Sequence, residues 1–383
     1  MRTWAILLLS LALGACAFSP PAADAGRLFA DHLFGPASQP IGAKDVFALN
    51  TEMRQYVAKE VGPRSNSRSR QQSLVTALRS ERQLKLEYDS AFTRTAAEAF
   101  EARTGNCLSL VIMTAALAKE MGVPVQYRSM DIDETWRRLG NIYFSIGHVN
   151  LTLGRAPHRG ASRIDDGEQL TIDFIPSLDM HRARWRVIEE KTVLAMFMNN
   201  RAAEALSIGR VDDAYWYARE AIRQDPDFAS SYNTLGVIYQ HGGHLEEAAR
   251  TLGYALARVP SNTNVLSNLA PLLAGLGRIE ESRDLERRLA RLQPDPPFAF
   301  FNRGLAAMRE GDYRTAKDLF RREVDRDPYY HEFHFWLAVA LSNLGENDRA
   351  KQHLALAMEN SSTRDEHDLY AAKLRRIKSS RLQ

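Results

Sequence analysis

The strongest constraint on the fold is a proline that recurs every 34 residues in the C-terminal half of the sequence. Pro226, Pro260, Pro294 and Pro328 keep this interval at every step. Proline lacks an amide hydrogen and its ring clashes with the preceding helical turn, so each one predicts the end of a helix and the turn into the next unit. A constant interval of this length predicts a stack of similar structural units.

Small side chains recur with the same period. The first series is Ala214, Ala248, Ser282 and Ala316, and the second is Gly236, Ala270, Gly304 and Ala338. Because the distance between two packed helices depends on the side chains at their contact, these positions predict where paired helices approach each other closely.

The unit that ends at Pro260 resembles the tetratricopeptide repeat (TPR). Its matching positions are Tyr232, Leu235, Gly236, Tyr239, Ala248, Ala255 and Pro260. The resemblance extends over about five units, from 195 to 362, and implies an all-α TPR solenoid. The more polar residues 363–383 are expected to form a C-terminal capping helix, which the end of a solenoid needs for solubility. The resemblance also implies a partner, namely a protein or peptide ligand on the concave face.

Length, composition and charge limit the remaining possibilities. A chain of 383 residues is longer than a typical single domain, so two domains are expected. The 50 basic and 47 acidic side chains leave a net charge of +3, which gives no reason to expect nucleic acid as a partner. The sequence has neither a phosphate-binding glycine loop nor histidines and cysteines at metal-ligand spacing, so no cofactor and no metal are expected.

A short apolar segment at the N-terminus predicts export. The run from Trp4 to Leu13 is too short to span a bilayer but has the length of a signal-peptide core. It ends in Leu13-Gly14-Ala15-Cys16, which resembles the lipobox of bacterial lipoproteins. That resemblance implies a signal peptide over 1–15 and a Cys16 that carries acyl chains such as palmitate, enough to anchor the chain in a membrane. An ordinary secretory signal is the alternative.

The residues after Cys16 indicate a destination and a tether. Ala17 follows the cysteine where aspartate would mark inner-membrane retention, so the lipoprotein resemblance implies the periplasmic face of the outer membrane of a bacterial cell envelope. Residues 16–42 are rich in proline and small side chains, which predicts a tether with one helical turn around 27–34.

Cys107 lies where the sequence predicts the first turn of an apolar helix. Gly105 breaks the preceding helical pattern, Gly122-Val123-Pro124 ends the new one, and a strand is expected over 125–129. The free N–H groups at a helix start favour the thiolate form of a cysteine. The alternative is a small side chain buried in the core, which is a common fate of a free cysteine.

Two ionisable residues interrupt apolar strands that are predicted further along. His148 lies in the strand expected over 141–153, and Asp173 lies in the strand expected over 170–175. Buried ionisable groups are unfavourable unless they are paired. With Cys107 they could supply the nucleophile, the base and the group that orients the base in acyl transfer.

The segment Gly105-Asn106-Cys107, followed by Gly122-Val123-Pro124, resembles the signature of transglutaminase-like enzymes, which are circularly permuted relatives of papain. The resemblance covers 43–190 and implies an α+β papain-like domain. It assigns Cys107 as nucleophile, His148 as general base and acid, and Asp173 as the residue that orients His148.

The resemblance implies attack on an amide bond of a protein or peptide through a thioester, resolved by water or by an amine, with the TPRs recruiting the substrate. Two departures leave the substrate class open. The family often has Ala-Trp after the histidine, where this chain has Val149-Asn150, and often has proline after the aspartate, where this chain has Phe174. The alternative is a non-catalytic TPR lipoprotein that acts as an adaptor or assembly factor in the envelope.

Overall fold

The computed structural model describes residues 22–61, 67–79, 86–89, 92–139, 142–154, 169–174, 184–361 and 364–379. The predicted signal peptide and Cys16 lie outside these residues. Within them the chain is mostly helical and contains one four-stranded sheet. No helix in the described ranges is long and apolar enough to cross a membrane.

The N-terminal half alternates short helices with strands. In chain order its elements are α1 (Thr51–Tyr56), α2 (Ser67–Arg79), β1 (Glu87–Tyr88), α3 (Ala96–Ala102), β2 (Thr104–Gly105), α4 (Cys107–Glu120), β3 (Val125–Leu139), β4 (Ile142–Leu153), β5 (Leu170–Ile172) and β6 (Arg184–Ile188). Against the expectation of a full papain-like α+β domain, the sheet of this half is small.

The main sheet has the order β5-β4-β3-β6, and all its neighbouring strands are antiparallel. β3 continues to Leu139, ten residues beyond the end predicted at 129, because it pairs with the whole of β4. β6 was not predicted; its residues Arg184 to Val187 are exposed and lack the apolar alternation that indicates a half-buried strand.

Helix α4 is the centre of the N-terminal half. Every residue from Cys107 to Ala118 is buried, and only Lys119 and Glu120 at the end of the helix are exposed. It begins at the cap of Asn106, whose side chain accepts a hydrogen bond from the backbone of Ser109. It ends before Gly122, whose φ of +66° is a left-handed conformation that favours glycine.

Ten helices follow as five antiparallel pairs, and an eleventh ends the described chain. They are α5 (Glu190–Ser207), α6 (Val211–Gln224), α7 (Ala229–His241), α8 (Leu245–Arg258), α9 (Thr263–Gly275), α10 (Ile279–Leu292), α11 (Ala299–Arg309), α12 (Tyr313–Arg326), α13 (His331–Asn343), α14 (Asn347–Glu359) and α15 (Arg364–Ser379). Each of the four periodic prolines comes two residues after the second helix of a pair. The first pair begins at Glu190, five residues before the predicted start of the repeats.

The turn inside each pair depends on a glycine that recurs every 34 residues. These are Gly209, Gly243, Gly277, Gly311 and Gly345, with φ between +77° and +81°. Because only glycine adopts this conformation without strain, the series fixes the two helices of each pair in the same arrangement.

The segment predicted as a tether is instead packed against the first repeats. The ring of Phe34 stacks on Tyr215 with 4.0 Å between the centroids, and the Tyr239 hydroxyl donates to the Leu28 carbonyl at 2.6 Å. The Asp213 carboxylate accepts from the Ser38 amide at 2.7 Å. Of the predicted tether, therefore, the part from Ala25 onward belongs to the folded body.

Buried apolar side chains form two separate clusters. The larger runs from Ala25 to Leu285 and joins the sheet, α4 and the first three helix pairs. The smaller runs from Phe298 to Leu354 and holds the last two pairs together. The N-terminal half and the first repeats therefore share one core.

Candidate functional site

Cys107 is the first residue of α4, and its side chain is 5% exposed. The Asn106 side chain caps this helix, with 2.9 Å between its Oδ1 and the Ser109 nitrogen. The thiol therefore lies at the positive end of a buried helix, where the unpaired N–H groups favour an anion.

His148 and Asp173 are paired on adjacent strands. His148 lies on β4, Asp173 follows β5, and 2.6 Å separates the histidine Nε2 from the carboxylate Oδ2. His148 is 4% exposed and the Asp173 side chain is 11% exposed, so water screens the pair weakly. Within the described part of the chain, the other ring nitrogen, Nδ1, has no nitrogen or oxygen partner.

The pKa of His148 depends on both Asp173 and Cys107. Burial lowers its pKa, but hydrogen bonds and charge interactions with Asp173 and Cys107 outweigh burial and raise the pKa to about 9. Near neutral pH the raised pKa favours the imidazolium form of the ring, which pairs with the Asp173 carboxylate. The structure places His148 in direct contact with Asp173 and brings Cys107 near enough to affect the pKa of His148, although the three residues are separated by 41 and 25 positions in the sequence.

Asn150 is a fourth member of this site that sequence reasoning did not assign. Its Nδ2 donates to the same Asp173 Oδ2, at 3.0 Å, and the residue is 1% exposed. A second donor fixes the carboxylate and leaves it oriented toward His148. The available signal was a polar amide two residues after His148, in a strand whose other residues there are apolar or threonine.

Among the described residues, no other histidine is placed at this site. His158 and His181, which the sequence suggests are surface residues, lie outside the described residues. His334 stacks on His353 inside the last repeats, with 3.0 Å between the two Nδ1 atoms. Among the described residues, no group of three or more histidine, cysteine or acidic side chains is placed to hold a metal ion.

A second candidate site lies on the repeats. A cavity of about 400 Å³ between α11 and α13 is lined by Leu305, Met308, Arg309 and Trp336. Its walls are thus apolar and aromatic, with one cation. Such a lining suits the binding of another chain better than chemistry.

Sequence comparison identifies the repeats directly. Three models described as tetratricopeptide repeat match residues 217–250, 234–297 and 307–373. The TPR repeat-containing protein PA4667 of Pseudomonas aeruginosa is 28% identical over 128 residues, which are 33% of this chain and 22% of that protein. The TPR repeat-containing protein YpiA of Bacillus subtilis is 28% identical over 158 residues, which are 40% of this chain and 36% of that protein. The chain thus spans about a third or less of the length of these relatives.

Solved structures give only partial superpositions. PilF of Pseudomonas aeruginosa is 21% identical, with 50% of this chain and 88% of that chain covered and a TM-score of 0.30. A thermophilic TPR protein of Thermus thermophilus is 19% identical, with 47% and 98% covered and a TM-score of 0.30. The assignment rests on the family matches and the 34-residue period: the C-terminal half of this chain consists of tetratricopeptide repeats.

Proposed function

We propose that this chain is an adaptor that binds a protein or peptide partner through its TPR region. The observation that carries the proposal is the cavity between α11 and α13, where Leu305, Met308 and Trp336 remain partly accessible. Both helices are the first of their pairs. Arg309 at the edge adds a positive charge, so the fitting ligand is an extended segment with an apolar side chain beside a carboxylate.

The adaptor proposal is tested by photo-crosslinking in the native cell. An apolar photoreactive amino acid replaces Leu305 at the cavity, which keeps Arg309 in place, and in the control it replaces the exposed Arg287 on α10. We expect a discrete crosslinked product only from the first position, and its loss when Met308→Glu is added. Equal products from both positions, or a product indifferent to Met308→Glu, would contradict a ligand at this cavity.

A second candidate function is cysteine-dependent chemistry on an amide bond, as in transglutaminase-like enzymes. It is favoured by one observation, the 2.6 Å pair of His148 and Asp173 next to a cysteine at a helix start. An orienting carboxylate, a histidine and a nucleophile in this order support acyl transfer on several unrelated folds. The Asn150 bond to Asp173 supports the same assignment.

The proposed reaction uses each of these groups at a stated atom. The Cys107 thiolate forms a bond to the carbonyl carbon of the amide, and the backbone N–H of Cys107 donates to the resulting oxyanion. The His148 imidazolium gives its proton to the leaving amine as the C–N bond breaks, which leaves a thioester. His148 then accepts a proton from water or from an incoming amine, whose attack releases the acyl group and restores the thiolate. Asp173, which is held by the hydrogen bond from Asn150, orients the ring throughout.

This candidate is tested by turnover of a peptide mixture, with amide hydrolysis and incorporation of a labelled primary amine followed by mass spectrometry. We expect product with the wild type and with Cys16→Ala, none with Cys107→Ser, and at least tenfold less with Asp173→Asn. Product that persists in Cys107→Ser would exclude this mechanism.

We also propose that residues 1–15 are a signal peptide and that Cys16 is lipidated, which would place the folded body on the periplasmic face of the outer membrane. Supporting features are the apolar run before Cys16 and the lipobox resemblance. In this organisation 43–190 carries the cysteine site, 195–362 carries the repeats and 363–383 caps them. Fractionation of a Cys16→Ala variant tests the anchor: loss from the membrane fraction is expected, and retention there after correct cleavage would contradict it.

A further inference from the structure

Thr93, in the loop before α3, holds the residue that precedes Cys107. Its hydroxyl oxygen accepts a hydrogen bond from the Asn106 side chain at 2.9 Å. The same Asn106 side chain accepts from the amide and from the hydroxyl of Ser109, at 2.9 Å and 2.8 Å. Thr93, Asn106 and Ser109 therefore form one connected group around the start of α4, and Thr93 and Ser109 are fully buried.

The first repeat helix, α5, holds Thr93 from the other side. Glu204 accepts from the Thr93 amide at 2.7 Å, and Asn200 donates to the Thr93 hydroxyl at 3.2 Å. Arg201 donates to the Thr93 carbonyl at 3.3 Å. Three side chains from two adjacent turns of α5 thus bind a single residue of the loop before α3, with sequence separations of 107, 108 and 111.

We propose that α5 positions the Cys107 nucleophile, with Glu204 and Asn200 as positioning residues that act through Thr93 and Asn106. The inference rests on the proposed cysteine chemistry. It assigns the first repeat a role beyond ligand binding. Through Thr93, helix α5 fixes the position of Asn106, the N-cap residue of α4, and therefore that of Cys107, the first residue of α4. Misplacement of a reacting group by about 1 Å is enough to slow a reaction about a hundredfold.

The protonation of Glu204 should make the hydrogen bond between α5 and Thr93 depend on pH. Burial raises its pKa to about 7, against the opposing effects of the Thr93 hydrogen bonds and of the charges of Arg201 and Arg94. Burial lowers the pKa of Arg201, but interactions with Tyr217 on α6, with Glu204 and with Glu98 on α3 outweigh burial and raise it. Above pH 7 the carboxylate accepts a charge-assisted hydrogen bond from Thr93, and below pH 7 that bond weakens as the carboxyl group is protonated.

The test measures the rate at which iodoacetamide alkylates Cys107 in the full chain. The Cys16→Ala background makes Cys107 the single cysteine, since the sequence has two. In this background Glu204→Ala should slow alkylation about tenfold, because it removes a charged hydrogen-bond partner of the loop. Asn200→Ala, which removes a neutral bond, should have a smaller effect in the same direction. The matched control is Glu281→Ala, which removes an exposed glutamate of α10 and should leave the rate unchanged.

Glu204→Gln separates positioning from a loss of folding, because it keeps the size of the side chain and an acceptor oxygen. The wild type should react about threefold faster than Glu204→Gln above pH 7, and the two rates should converge below it. A constant ratio across pH 5.5–8.5, or Glu204→Ala at the wild-type rate, would overturn the inference. His148→Ala separates failure of the proposed cysteine chemistry from failure of the proposed role of α5. If His148→Ala leaves the alkylation rate unchanged, the cysteine proposal itself fails. If His148→Ala slows alkylation but the Glu204 variants react at the wild-type rate, only the role of α5 is contradicted.

Discussion

At the scale of single residues, the pairing of His148 with Asp173 makes stability depend on pH. Because the pKa of His148 is raised from 6.5 to about 9 in the folded chain, its contribution to stability is complete below pH 6.5 and is lost as the pH rises through 9. Asp173→Asn should therefore lower the free energy of unfolding by about 2 kcal/mol at pH 6 and by little at pH 10. Urea unfolding of both proteins at a series of pH values measures this difference; an equal difference at pH 6 and pH 10 would contradict the pairing.

The three candidate site residues could be singled out from the sequence, whereas the residues that contact them could not. Cys107, His148 and Asp173 stand out because an ionisable or nucleophilic side chain in an apolar segment needs a reason to be there. Asn150 and Thr93 lack this contrast, since amides and threonines occur in many strands and loops. Their roles follow from tertiary contacts to Asp173 and to Asn106, which no local pattern encodes.

At the scale of helices, the small residues of the repeats differ in how much space they have. A Cβ added at Gly304 would lie 2.6 Å from the Phe320 ring, whereas a Cβ at Gly253, in the middle of α8, would meet nothing within 4 Å. Gly304→Ala should lower the free energy of unfolding by roughly 1–3 kcal/mol, because the ring must move in a packed core. Gly253→Ala should instead raise it by up to about 1 kcal/mol through helix propensity. Thermal or urea unfolding measures both; a gain at Gly304 would show that α11 and α12 are not packed this closely.

The helical elements were easier to predict than the strands. Each of the five repeats has a left-handed glycine inside its helix pair, and the first four also have a proline after the pair. Strand β6 carries no such signal. Its residues Arg184 to Val187 are exposed, and the strand exists because its backbone pairs with β3. The length of β3 likewise depends on β4, so its sequence alone could not set its end.

At the scale of the whole molecule, residues 25–41 pack against the first repeats. Phe34→Ala removes a ring that stacks on Tyr215 and contacts Tyr239 and His244. It should cost roughly 2 kcal/mol and increase hydrogen exchange in α6 and α7. Phe92→Ala is the matched control, since that ring is 50% exposed and its loss should cost little. Equal exchange in the two variants would mean that the segment is not held against the repeats.

The sequence predicted this segment as a tether because prolines and small side chains are common in linkers. The contacts that hold it lie about 180–210 positions away, in α6, α7 and the turn after α7. Composition indicates how a segment behaves in isolation, whereas the structure of this segment depends on its contacts with α6, α7 and the turn after α7. The same reasoning explains why the shared core of the sheet and the first repeats could not be inferred from the repeat period.

We propose that the TPR adaptor region and the candidate Cys107 site form one working unit. The most direct test of this proposal is the rate of iodoacetamide labelling of Cys107 in the native Cys16→Ala chain at pH 7, compared with the urea-unfolded chain and with His148→Ala. We expect the native thiol to react faster than the unfolded one, because the fold places it at a helix start near the His148–Asp173 pair. His148→Ala should be slower than the native chain. Labelling that requires urea, or that is equal with and without His148, would leave Cys107 as a core residue of a TPR adaptor.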